Sequence, residues 1–468
     1  MWNMSYGGSE FDDAKTAVQT TDGGYIIAGS TFSFGEGGED IYLIRTNPYG
    51  DILWTKTYGS SGDERAYAIQ QTLDDGFIIA GYTAHSGLSS ADIWIIKTDS
   101  VGDSLWTKTY GNDYIDWALS IKQTTDEGFI IAGFTHLNLL SSDVWMIKTD
   151  SFGDSLWSKT FGGNEDDWAG SIQQTIDGGF ILGGFTTDIV SSSRDCWLIK
   201  TDSNGDSLWT KTFGGNSDDW IRSLQQTNDG GYILSGITDS FGAGGRDAWL
   251  IRADSIGDSI WTKTYGGTED DWVYTSVPVT ADGGFIVGGG TYSYGVGSSD
   301  VWLIKTDTSG EILWTRTYGG VEQDYASCVF QTSDNGFLIA GYTNSFSIGN
   351  EDVWIIKTDD LGYTGPYTEN EENLCEYNYH IYNYPNPFNP TTTISFSIPN
   401  ESEVELTIYN IKGQIVKTLA NNDFTQGSSS IVWNGDDEIG QPVSSSIYYY
   451  KLNINGKTEV VKKCLLLK

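Results

Sequence analysis

One acidic residue recurs along this chain at a nearly constant interval: Asp12, Glu64, Asp116, Asp167, Asp219, Asp271 and Asp324. Seven carboxylates gathered at one place would suit a hard cation such as Ca2+, which takes several oxygen ligands. The competing reading is local, with each acid accepting hydrogen bonds from backbone N–H groups of its own turn. Because the residue repeats in every copy, the local reading is the simpler one. Other catalytic groups are scarce. The chain has three histidines, His85, His136 and His380, and spacing builds no Ser/His/Asp arrangement from them. His85 and His136 fall in equivalent segments of successive copies, which makes their imidazoles candidate neighbours, although exposed polar loop residues need no such role. Carboxylate pairs are so plentiful that none stands out as an acid and base. A third set is aromatic. Phe32, Phe34, Phe241, Tyr292, Tyr294 and Phe346 lie in Gly- and Ser-rich segments, where rings either contact a ligand or fold back onto their own scaffold.

These residues are carried by a repeat. The stretch DSLWTKTFGG, Asp206 to Gly215, returns with its tryptophan at Trp2, Trp54, Trp106, Trp157, Trp209, Trp261 and Trp314, at intervals of 51 to 53 residues. A period of that size defines a repeat architecture. Within one period, as in Asp166 to Gly215, four strand-like runs follow one another: AGSIQQT, GFILGGFT, DCWLIKTD and DSLWTKTFG. The first two are joined through Asp177-Gly178, a strong hairpin signal. Runs two and three are almost continuously apolar, so both sheet faces must be covered. Run four alternates, with Trp106, Lys108 and Tyr110 on one face, and its repeated lysine suits an outer edge. Run one, short and carrying small or polar residues, suits a crowded centre. That order is the blade of a β-propeller, and the turn DSxGDSLW resembles the repeat turn of quinoprotein propellers, which here implies the fold alone.

The termini supply the count. The chain opens with a fourth strand and its repeats end with a third, so the N-terminal strand is expected to complete the last of seven closed blades, over residues 1–362. An open solenoid is the alternative, but it would need capping repeats, and no copy looks atypical. Parity then puts the near-identical TxDGG and DSxGD turns on one face. The opposite face carries the GGxxDD connections and the variable loops between strands two and three, as at Thr31, Thr83, Thr135, Thr238, Thr291 and Thr343. Variable loops on a rigid scaffold are a common mount for binding sites.

Composition narrows the partners. Lys+Arg 26 against Asp+Glu 63 gives a net charge of −37, of which about −32 falls within residues 1–365. Nucleic acid is excluded as an expected partner, because its binding rests on basic residues neutralising phosphates. No apolar run is long enough to span a membrane. The opening MWNMSYGGSEF has neither the basic nor the apolar region of a signal peptide. The four cysteines share no metal-type spacing. Cys196 and Cys328 read as small buried residues, while Cys375 and Cys464 flank the C-terminal region and are candidates for a disulfide.

After an acidic linker over 363–381, residues 382–468 carry alternating strands such as EVELTIYN and IYYYKLNI, broken by Lys412-Gly413 and Asn455-Gly456, which predict a small Ig-like β-sandwich. The Tyr384 to Pro387 opening YPNP, the strands PTTTISFSIP and IYNIKGQIV and the closing KKCLLLK resemble the C-terminal sorting domain of type IX secretion cargo, related to the Ig-like domain of the flagellar hook-capping protein. The usual Ser-Gly of that family is Ser445-Ser446 here. The repeats in turn resemble those of secreted propeller proteins of Bacteroidota-like bacteria. The resemblance implies export by the type IX machinery to the medium or the outer-membrane surface. Such cargo carries a signal peptide, so a truncated N-terminus is expected. Three functions fit: a non-catalytic protein binding glycan or protein through the variable face, a glycan-degrading hydrolase or lyase using carboxylates there, or a structural surface-layer component.

Overall fold

The computed structural model describes residues 1–84, 90–136, 141–188, 192–274, 283–364, 381–384, 388–398, 402–424, 427–455 and 457–467. The chain forms two units, Met1–Tyr367 and Thr368–Lys468. The larger contains seven four-stranded antiparallel sheets, each a meander taken in chain order except the last. Blade one comprises Asp12–Gln19, Tyr25–Thr31, Asp40–Thr46 and Ile52–Tyr58. In blade seven, Asp324–Gln331, Phe337–Thr343 and Asp352–Lys357 are joined by Trp2–Tyr6. Trp2 lies opposite Lys357, and Ser5 opposite Trp354. The first strands of blades one to five lie side by side, and that of blade seven lies beside that of blade one, so they form the innermost layer around a central channel.

The burial of each strand follows from its place. Second and third strands are covered throughout, as in Tyr25–Thr31 and Asp40–Thr46, whereas the fourth exposes alternate residues. Its inward face docks on the next blade by a contact repeated seven times: Trp54 meets Phe77 edge-on at 6.1 Å between ring centres, and Trp209 meets Tyr232 at 6.0 Å. Trp2 makes the same contact with Tyr25 of blade one at 5.9 Å, so the seam closed by the N-terminal strand is equivalent to the internal ones. The fourth-strand lysine does more than block an edge. Lys56, Lys108, Lys159 and Lys211 each reach the turn aspartate of the following blade, Asp103, Asp154, Asp206 and Asp258, at 2.6–2.8 Å.

The smaller unit pairs Ile381–Tyr384, Thr392–Ile398 and Gly427–Trp433 in one sheet and Ile415–Phe424, Ser402–Asn410, Ser446–Ile454 and Lys457–Leu466 in another. Its own core gathers Phe388, Ile394, Leu406, Trp433, Tyr450 and Leu452. Cys464 is buried there as a free thiol; its candidate partner Cys375 lies outside the described residues. Cys196 and Cys328 are also buried and free.

Candidate functional site

The seven recurring acids are buried, each at the start of a first strand, and Asp12, Asp116, Asp219, Asp271 and Asp324 have no exposed surface at all. Each binds its own connection. Asp12 accepts from the Gly8 N–H and the Ser33 hydroxyl, both at 2.7 Å, and Asp324 accepts from Gly320 N–H at 2.9 Å and Ser345 Oγ at 2.6 Å. Asp271 binds Gly267 and Ser293 in the same way, Asp219 binds Gly215 and Ser240, Glu64 binds Ser60 and Thr83, Asp116 binds Asn112, and Asp167 binds Gly163. The acid thus ties the blade-to-blade connection to its own sheet and, in several blades, to the variable loop. Among the described residues no three His, Cys, Asp or Glu side chains come together as metal ligands.

What each acid does meet is the aspartate that opens the third strand of the preceding blade. The pairs include Asp352 with Asp12, Asp247 with Asp271, and Asp300 with Asp324, and each closes on a glycine, Gly7, Gly266 and Gly319, where a Cβ would overlap both carboxylates. The Oδ2 atoms of Asp247, Asp300 and Asp352 accept backbone N–H groups of the variable loop, from Ala243, Val296 and Ile348, while Oδ1 is buried with no hydrogen-bond donor among the described residues. Burial first, then the facing carboxylate, pushes Asp300 and Asp352 up to about 7. Asp40 is raised to about 6 by burial, with the charge of Glu64 adding to it.

The loop aromatics divide. Phe34, Phe241, Tyr294 and Phe346 fold onto the third-strand rings of their own blades, Tyr42, Trp249, Trp302 and Trp354, at 5.2–5.5 Å. Phe32 is exposed. Tyr292, 41% exposed, stands edge-on to Trp272 at 5.1 Å. His136 is half-buried, with Nδ1 3.0 Å from the Ile115 carbonyl and its ring against Phe134. His85 lies outside the described residues.

Sequence reasoning missed the residues that follow each recurring acid by one and three places. They lie at the variable-loop end of the innermost strands, where the ring of blades has its mouth on that face. The first position holds Trp117, Trp168, Trp220, Trp272 and Tyr325 in blades three to seven, but Asp13 and Arg65 in blades one and two. The rings form a belt. Tyr82 stacks on Trp117 at 4.7 Å, Phe134 on Trp168 at 4.1 Å, and Tyr325 on Tyr342 at 4.9 Å, with Trp272 against Tyr325 at 5.1 Å. The buried indole N–H groups of Trp117, Trp220 and Trp272 have no acceptor among the described residues. On one arc of the mouth, Arg222 lies over the Tyr274 ring at 4.9 Å, Arg246 over Trp220 at 5.5 Å, and Arg194 over Phe185 at 5.0 Å. On the other arc, Asp13 pairs with Lys15 at 2.6 Å and Arg65 with Glu39 at 2.6 Å. Despite burial, Lys15 and Arg65 hold the Asp13 carboxyl below its ordinary range, whereas burial and the Asp13 charge push Glu351 up. The repeat pattern hides this site, since each blade contributes a different residue to it. The one available signal was the change of residue type at positions flanking an invariant acid.

Fold and mouth together define a seven-bladed β-propeller with a mixed aromatic and charged rim, followed by an Ig-like domain. Residues 386–457 match the FlgD Ig-like domain family. Over 301 residues the chain is 27% identical to the regulatory protein FlaEY of Caulobacter vibrioides, covering 58% of this chain and 30% of that relative. Among solved structures it is similar to PorZ, a surface component of the type IX secretion system of Porphyromonas gingivalis, at 13% identity and a TM-score of 0.43, covering 99% of this chain and 60% of that one. It is similar as well to a fungal copper-bound alcohol oxidase, at 12% identity and a TM-score of 0.47 over 100% and 98% of the two chains. Likeness this distant assigns neither activity nor partner.

Proposed function

We propose that this is a secreted or outer-membrane surface protein that binds glycan or protein, without catalysis, at the channel mouth on the variable face of its propeller, and that its C-terminal domain directs type IX export. The observation that carries the binding role is the aromatic belt, with Tyr292 against Trp272 at 5.1 Å and Tyr274 against Arg222 at 4.9 Å, each tyrosine 41% exposed. Tyrosine and tryptophan combine large contact area with hydrogen-bonding tips, the combination that recognition surfaces favour. The export role is supported by the sorting-domain motifs and the Ig-like match over residues 386–457.

A second reading, a glycan-degrading hydrolase or lyase, is supported by the opposed shifts of Asp13 and Glu351, since environments that separate two carboxyls assign base and acid. One experiment addresses both. The chain is screened on a glycan array and each hit is titrated against the Tyr274→Ala/Tyr292→Ala variant, with released reducing ends measured in parallel. The expected outcome is binding that weakens about tenfold in the variant, with no sugar released. Hits indifferent to both substitutions, or none, would overturn the assignment of the site, and sugar release abolished by Glu351→Gln would replace binding with catalysis.

A further inference from the structure

The surface of residues 1–365 is strongly acidic, at about −32, yet three arginines converge on one arc of the mouth. Arg222 and Arg246 both approach Trp220, at 5.8 and 5.5 Å, and Arg194 sits on Phe185 in the same aromatic cluster. The carboxylates that would neutralise them are loosely held: Asp218 lies 3.8 Å from Arg194, and Asp239 lies 3.5 Å from Arg246. Among the described residues Arg222 has no ion pair, and its buried Nε meets no acceptor. Burial and the charges of Arg194 and Arg246 both work against its guanidinium, although the Tyr274 ring beside it offsets part of this. A half-buried arginine among like charges, with no described carboxylate paired to it, is costly unless an anion completes it.

We propose that this arc binds the anionic group of an acidic polysaccharide, a sugar carboxylate or sulfate ester, with the adjacent Tyr274 and Tyr292 taking the sugar rings. The inference rests on the binding role proposed above and adds the class of ligand to it. A guanidinium presents a planar fork of donors that matches both oxyanions, and exposed tyrosine faces suit the apolar faces of pyranose rings. A thin, flexible chain also reaches the mouth without laying a broad acidic surface against the propeller's own. An acidic protein partner would have to do so, against repulsion that salt screens only beyond about 8–10 Å.

The test uses the full chain in solution with five probes: an oligogalacturonate, a sulfated oligosaccharide on a neutral backbone, the uncharged counterpart of each, and a polyglutamate peptide. One or both acidic sugars should bind, and which of them binds identifies the anion. Their affinity should fall as salt rises from about 50 to about 300 mM. Arg222→Gln and the more exposed Arg246→Gln should each weaken binding about tenfold, with Arg222→Lys recovering part of the loss. Arg246→Gln keeps the test valid if loss of Arg222 perturbs folding. Equal binding of uncharged sugars, binding insensitive to either arginine, or a preference for polyglutamate would overturn the inference. If uncharged sugars bind and the two tyrosine substitutions abolish it, the binding role of the face stands while the acidic ligand falls; if no probe binds, both fall.

Discussion

At the scale of single residues, the paired carboxylates between blades set the response to pH. The folded-state values of Asp40, about 6, and of Asp300 and Asp352, about 7, lie above those of an unfolded chain. The native state therefore holds more protons than the unfolded one between about pH 4 and about pH 7, and stability is lost as pH rises through that window. The turn aspartates act oppositely. Asp74, Asp126 and Asp177, bonded to Lys97, Lys148 and Lys200 at 2.9–3.0 Å, are held below the ordinary value despite some burial. Their contribution disappears only as pH falls below about 4. Maximum stability is accordingly expected on the acid side of neutrality. Calorimetry should show the propeller melting at a lower temperature at about pH 8 than at about pH 5, and Asp300→Asn should raise the pH 8 value by about 1–3 kcal/mol equivalent. An Asn amide keeps the side-chain shape and donates toward Asp324, so a variant that loses stability at pH 8 would refute the paired-carboxylate account.

At the scale of elements, the decisive contact is that of the strand Trp2–Tyr6. Trp2 donates from Nε1 to the Pro48 carbonyl at 3.0 Å, and the Tyr6 hydroxyl donates to Gly50 at 2.6 Å, which anchors the strand across the seam to blade one. Tyr265 and Tyr318 make the same bond to Gly310 and Gly362 at internal seams. Trp2→Ala should therefore destabilise the propeller about as much as Trp209→Ala, on the order of 2–4 kcal/mol for half-buried tryptophans. Urea denaturation of the two variants decides it: a Trp2 variant as stable as the parent would mean that this seam does not hold the ring. This much was legible beforehand, because a 52-residue period, Asp-Gly turns and a chain that starts on strand four leave few ways to close. The mouth was not. A repeat reveals what its copies share, whereas a site on the axis takes one unlike residue from each copy. Arg222, Tyr274, Lys15 and Tyr67 occupy the same place in four blades and read as noise along the sequence. The loop aromatics left two readings open in the sequence, and Phe34 and Phe241 take the local one, each covering a third-strand ring.

For the molecule as a whole, the separate core of the smaller unit matters most. Phe388, Leu406, Trp433 and Leu452 are buried among themselves, with Trp433 donating from Nε1 to the Asp436 carbonyl at 2.9 Å, so the unit has an apolar core of its own. Independent cores of this kind unfold independently and are separable in function. If the C-terminal domain is the export signal, removing residues 382–468 from the full chain should leave the propeller folded, its melting transition and aromatic circular dichroism intact. In a host with a type IX system and a suitable leader fused to the chain, the truncated protein should then be retained in the periplasm while the full chain reaches the outer surface. A truncated chain that still appears outside the cell would separate export from this domain. Loss of the folded propeller on truncation would show instead that the two units depend on each other for stability, contrary to their distinct cores.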